Sequence, residues 1–121
     1  MASEEDMDES EIDQAVFADL QDTAGAEFVA ELVDTFLEEA PGMLAELHSA
    51  RADADADRFR RAAHSLKSNC NTFGALKLAA LARELELKGL DADPARDAGG
   101  LAALEVEYAR AAGALKALRH G

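Results

Sequence analysis

Apolar side chains recur along this chain at intervals of three and four, the spacing that gathers them on one side of a helix. Ile12, Val16, Phe17 and Leu20 predict a short amphipathic helix over residues 12–22, which Ala24-Gly25 breaks. It is too short to stand alone and is expected to lie across the end of a bundle. A longer helix is predicted from Ala26 to Ala50, with Phe28, Val29, Leu32, Val33, Phe36, Leu37, Ala40, Met43, Leu44 and Leu47 on its apolar side. Pro41 falls inside this run, and its missing N–H predicts a kink or local break near residues 38–40 with the helix direction largely kept.

The run Asp53-Ala54-Asp55-Ala56-Asp57 supplies a turn and a cap, with carboxylates at the positive end of the next helix. That helix carries Phe59, Ala62, Ala63, Leu66 and Cys70 within one narrow arc, and Gly74 closes it as a C-cap. A further helix is predicted from Ala75 to Lys88, its apolar side drawn from Leu76, Leu78, Leu81, Leu85 and Leu87, and Gly89 ends it. Asp93 as cap and Pro94 in the first turn open a last helix reaching Leu118. In it Leu101, Leu104, Tyr108, Ala111, Leu115 and Leu118 alternate at three and four, the seam of a bundle helix. The resulting fold class is all-α: an antiparallel up-down-up-down four-helix bundle with a short additional N-terminal helix.

Composition supports that reading, because only eight residues are Val, Ile or Thr while Ala, Leu and Glu abound. A length of 121 residues suits one domain, assigned here to residues 12–121. Residues 1–11, MASEEDMDESE, hold six acidic side chains and no branched or aromatic core former, so they are expected to be a disordered acidic lead. Met1 and this lead favour a freestanding protein over a piece of a larger one.

The formal net charge of −13 would repel nucleic acid and anionic membranes, which leaves a protein or a small molecule as partner. A single cysteine on the apolar arc reads as a packed thiol in a reducing compartment. No apolar run approaches a membrane span and no signal peptide is present, so the cytoplasm is the expected location. The chain has neither a phosphate-binding Gly-rich loop nor a Walker lysine nor a kinase signature, so it is not expected to bind or hydrolyse ATP. The three alternating aspartates lack the Gly and the terminal Glu of a calcium loop, no i, i+4 histidine pair exists, and no metal site is expected.

His64 stands out against this background. On a helical wheel it lies about 130° from the centre of its helix's apolar arc, which turns the imidazole toward water. Arg60 precedes it by one turn, and Lys67 and Ser68 follow by one turn. An exposed imidazole has a ring nitrogen free to attack phosphorus near neutral pH. Lys67 can place an ammonium beside a phosphate on that ring, and the small Ser68 leaves room for a partner to close over it. Arg60, Arg61 and Lys67 form a basic collar in an otherwise acidic chain. Asn71 and Asn69 are candidate donors to a phosphate or a partner, with helix-end satisfaction as the alternative for each. His48 and His120 lack such neighbours and read as solvent-exposed.

His64-Ser65-Leu66-Lys67-Ser68 followed by Gly74-Ala75 resembles the signature of the histidine-containing phosphotransfer (HPt) domain of multistep two-component signalling. The flanks Phe36-Leu37-Glu38-Glu39-Ala40-Pro41, Arg61-Ala62-Ala63 and Leu81 through Glu86 are similar too, and the specific resemblance runs from about Phe28 to Lys88. Ser68 departs from the more usual Gly of the family but keeps the position small.

The resemblance implies a phosphorelay intermediate in which His64 is the phosphoacceptor, on Nε2, and Lys67 stabilises the phosphate. Arg60, Arg61, Ser68, Asn71 and Gly74 would then belong to the receiver docking surface. It implies response-regulator receiver domains or a hybrid histidine kinase as partners, a monomer, and Mg2+ supplied by the receiver with no cofactor in this chain. Two other readings stand beside it. An HPt-like interaction module would bind a receiver without carrying phosphate. The dimerisation part of a histidine kinase fits less well, since Ser65 rather than an acidic residue follows the histidine.

Overall fold

The computed structural model of the chain describes residues 12–89 and 94–120. Its elements there are α1 (Gln14–Ala24), α2 (Ala26–Ala52), α3 (Ala56–Phe73), α4 (Leu76–Lys88) and α5 (Pro94–His120), and no strand occurs among the described residues. The expected lead over residues 1–11, the expected cap at Asp93 and the side chain of His120 lie outside the described residues.

Local chemistry explains where each helix begins and ends. The Asp13 carboxylate accepts from the N–H groups of Ala15 and Val16 at 3.0 and 3.2 Å, starting α1 just after Ile12. Gly25, at φ 94°, turns the chain directly into α2. Asp55 accepts from the N–H of Arg58 at 3.1 Å and Asp57 sits in the first turn, so the aspartate-rich turn caps α3. Gly74 ends α3 in the left-handed conformation, at φ 82°. Of the kink or local break expected near residues 38–40, the break does not occur: α2 runs on through Pro41 as one helix. Pro41 is exposed, so water is available to the carbonyl that loses its N–H partner, while buried Phe36, Ala40, Leu44 and Leu47 hold the other side.

Each of α2, α3, α4 and α5 packs against the next and α5 against α2, which closes a four-helix bundle, and α1 lies against α2 and α3. Phe36 is the aromatic centre of the core, with ring centroids 5.5 Å from Phe73 and 6.2 Å from Tyr108. Ile12 is buried, and the N–H of Asp13 donates to the Gly74 carbonyl at 2.7 Å, so the N-terminal segment is fastened to the end of α3. At the opposite end of α3, Arg58 binds Glu46 at 2.9 Å, Asp53 at 2.8 Å and the Ser49 hydroxyl at 2.9 Å, joining the close of α2 to the start of α3.

Three residues assigned to apolar faces are instead exposed: Phe28 at 52%, Leu76 at 44% and Leu87 at 68%. Phe28 precedes the buried stripe that begins at Val29 and is turned about 100° from it. Leu76 and Leu87 stand two residues from Leu78 and Leu85, about 200° round the helix, and Ala79 and Ala82 complete the buried stripe of α4 in their place.

Candidate functional site

The arc of α3 that buries Phe59, Ala63, Leu66 and Cys70 leaves His64 on the outer face, with its side chain 57% exposed. The ring is nonetheless held. Its Nδ1 lies 2.8 Å from Oε2 of Glu86 on α4. The other oxygen of the same carboxylate, Oε1, lies 2.8 Å from the Lys67 ammonium. Glu86 thus bridges the two residues of α3 that the sequence singles out.

The Lys67 ammonium and then the His64 ring hold the Glu86 carboxyl below its usual range, against the opposing effect of desolvation. An ionised carboxylate can only accept, so the proton in the 2.8 Å contact belongs to Nδ1. In the neutral ring the lone pair is then on Nε2, the nitrogen pointing away from Glu86. An open recess of about 390 Å³ lies beside the imidazole, lined by Arg60, Arg61, His64, Ser65 and Glu86.

The other singled-out residues divide. Ser68 and Asn71 are exposed, one and two turns beyond His64 on α3. Arg60 is paired with Asp57, and Lys67 with Glu86. Arg61 donates to the Asp57 carbonyl, at 3.4 Å, and has no carboxylate at ion-pair distance among the described residues. The collar is therefore partly neutralised. Asn69 donates to the Ser65 carbonyl at 2.8 Å, which satisfies the helix backbone rather than the recess. Gly74 does not reach the surface expected for it, because it is buried beneath Asp13 and Val16.

Sequence reasoning about neighbours of His64 misses Glu86. A signal for it exists. The connection between α3 and α4 centres on Ala75, and positions 64 and 86 lie eleven residues to either side of it. Helices joined by so short a turn run antiparallel, so equidistant positions come level.

A family model described as the Hpt domain matches residues 31–119, a span that contains His64, Lys67 and Glu86. The chain belongs to the Hpt domain family. Histidine-containing phosphotransfer protein B (HptB) from Pseudomonas aeruginosa PAO1 is similar in structure, with a TM-score of 0.79 and 30% identity over 91% of this chain and 95% of that one. Sensor protein TorS of Escherichia coli (strain K12) is 37% identical over 68 residues, which make up 56% of this chain and 7% of TorS. The chain thus spans a small part of that relative. Its helical bundle is a phosphotransfer module of two-component signalling, in a family of phosphocarriers rather than kinases.

The rest of the Hpt bundle offers no rival centre among the described residues. No group of three His, Cys, Asp or Glu side chains is placed to hold a metal ion there. No described helix is long and apolar enough to cross a membrane. His48 is exposed as expected but has a partner, Glu105 of α5, with Nε2 3.0 Å from Oε2. Cys70 is buried, and desolvation pushes its thiol up to about 12.

Proposed function

We propose that His64 carries a phosphoryl group between aspartates of receiver domains, taking it from one and returning it to another. The observation that carries this reading is the contact of Glu86 with Nδ1, which leaves the lone pair of an exposed ring on Nε2. That lone pair attacks phosphorus in line as the bond from phosphorus to the receiver aspartate oxygen breaks, and the electron pair leaves with the carboxylate. Nδ1 keeps its proton, and the positive charge of the phosphorylated ring lies opposite the Glu86 carboxylate. Lys67, one turn away, turns its ammonium to the phosphate oxygens. Transfer onward is the reverse of these steps.

The receiver brings Mg2+, and this chain contributes no cofactor of its own. Arg60, Arg61, Ser68 and Asn71 surround the ring and form the surface on which a receiver, freestanding or within a hybrid histidine kinase, docks. The chain acts as a monomer in the cytoplasm.

The test is transfer in vitro. The full chain and its His64→Gln variant are incubated with magnesium and a phosphorylated receiver domain, and the label is tested for acid-labile, base-stable behaviour. Label on the native chain alone is the expected result. Receiver binding by both chains with no label on either would overturn the transfer reading in favour of a docking module that carries no phosphate.

A further inference from the structure

Seen down the axis of α3, Lys67 lies about 60° to one side of His64, while Ser68 and Arg61 lie about 40° and 60° to the other. The Lys67 side faces α4, because its ammonium and Nδ1 of His64 both reach Glu86. The Ser68 side turns toward α2, since Arg61 lines a depression there together with Glu39 and Glu46 of that helix. The two ring nitrogens sit on opposite edges of the imidazole. With Nδ1 drawn to α4, the lone pair of Nε2 is directed to the side of Ser68 and Arg61.

Both residues on that side have donors to spare. Ser68 is exposed, and among the described residues its hydroxyl has no partner; the Thr72 hydroxyl, at 3.1 Å, bonds to the Ser68 carbonyl instead. Side chains of a helix lean toward its N-terminus, which tips the Ser68 hydroxyl over the turn that carries His64. Arg61 lines the His64 recess, and its guanidinium has no carboxylate at ion-pair distance among the described residues. Lys67, by contrast, is already shared with Glu86.

We propose that Ser68 and Arg61 bind the phosphoryl group on Nε2 from the side opposite Lys67. The Ser68 hydroxyl donates to one phosphate oxygen, and the planar guanidinium of Arg61 donates two parallel hydrogen bonds to the others. A phosphoryl group brings more negative charge than one shared ammonium offsets, and this clip supplies the rest. The Gly more usual in the family at position 68 has no side-chain donor, so the hydroxyl is a feature of this chain. The inference rests on the phosphocarrier reading for the presence of a phosphoryl group on His64.

The test uses the full chain labelled by phosphoramidate, a small donor that needs no docking. Phosphorus NMR follows the second ionisation of the phosphate on His64, and an unphosphorylated receiver domain then gives the equilibrium of transfer. Ser68→Ala and Arg61→Gln remove the donors, Ser68→Thr and Arg61→Lys keep the hydroxyl and the charge, and circular dichroism checks that the helices are retained. The remaining charges around the ring are the same in every variant: Arg60 with Asp57, Lys67 with Glu86, and Glu39 and Glu46 on α2.

Donors and positive charge favour the dianion, so the phosphate should titrate at higher pH in Ser68→Ala and in Arg61→Gln than in the native chain. The transfer equilibrium should move toward the receiver about three- to tenfold in each, with Ser68→Thr and Arg61→Lys nearer native. A titration and an equilibrium unchanged in Ser68→Ala or in Arg61→Gln, on a chain that labels normally, would overturn the clip. No phosphorus signal on His64 of the native chain would instead overturn the phosphocarrier reading, and the clip with it.

Discussion

Nδ1 of His64 and Oε2 of Glu86 are 2.8 Å apart across 22 positions of sequence. The pairing joins two helices at the point where the imidazole is exposed, so one carboxylate sets both the ring's orientation and the nitrogen that keeps the proton. His64 thereby has a positioning partner that its own helix does not supply.

Removing that partner should slow the chain without unfolding it. Glu86→Ala is expected to lower the rate of transfer from a phosphorylated receiver by about 10- to 100-fold, the cost found when the residue orienting a functional imidazole is lost. Glu86→Gln, which can still accept from Nδ1, should fall between. Nitrogen chemical shifts of His64 provide a readout that a purely structural role would not move: the population protonated at Nδ1 should drop in Glu86→Ala. An unchanged tautomer ratio would show that Glu86 does not act through the ring.

The same carboxylate contributes to acid sensitivity. Glu86 titrates below the ordinary value of 4.5 because of Lys67 and then His64, and Glu46 does so because of Arg58. When the folded value is depressed, the unfolded chain binds more protons between the two values, so stability rises with pH across that interval. The contribution is complete above about 4.5, the unfolded value, and is lost as pH falls through the folded values. Urea unfolding measured from pH 7 down to pH 3 should show this loss, and Glu46→Gln and Glu86→Gln should each flatten the curve. A slope identical in native and variant chains would remove these two groups as its source.

Much of this was legible in the sequence, and the rest was hidden for definite reasons. Helix positions follow from the three-and-four spacing, and the caps at Asp55 and Gly74 follow from residue types that act within a few positions. The exposure of His64 follows from its angle to Leu66 and Cys70 on one helix. What the periodicity does not carry is the relation between helices. Glu86 becomes visible only when the register of α3 and α4 about Ala75 is worked out. The exposed Phe28, Leu76 and Leu87 look like core residues until neighbouring helices select which stripe they cover. Pro41 looks like a break because its cost is local, whereas the buried residues that hold α2 together act across the bundle.

Burial of Cys70 gives a measure of how firmly the bundle is closed around the helix that carries His64. Desolvation pushes the thiol up to about 12, and its side chain has no path to solvent in the folded chain. A thiol reagent at pH 8 should therefore react only through opening of the bundle, about 100-fold or more slower than with the chain in urea. The rate should track stability across variants such as Glu46→Gln. Fast labelling of the native chain, independent of stability, would mean that α3 leaves the core more readily than its packing indicates.

Gly74 couples the end of the histidine helix to α1, and a methyl group there should separate them. Its φ of 82° is one that L side chains rarely adopt, and a Cβ would lie 2.8 Å from the Asp13 carbonyl oxygen and 3.0 Å from Cβ of Val16. The oxygen belongs to backbone that is itself fixed, since Asp13 caps α1 and donates to the Gly74 carbonyl at 2.7 Å. Neither neighbour can yield cheaply. Gly74→Ala should therefore cost about 1–3 kcal/mol from the backbone conformation alone, with the clash added to it. The loss should fall on α1 first. Hydrogen exchange should show reduced protection over Gln14–Ala24, with His64 in the middle of α3 still paired to Glu86. Equal loss of protection in every helix would mean instead that α1 and the bundle open as one unit, and that the N-terminal helix is part of the core rather than laid against it.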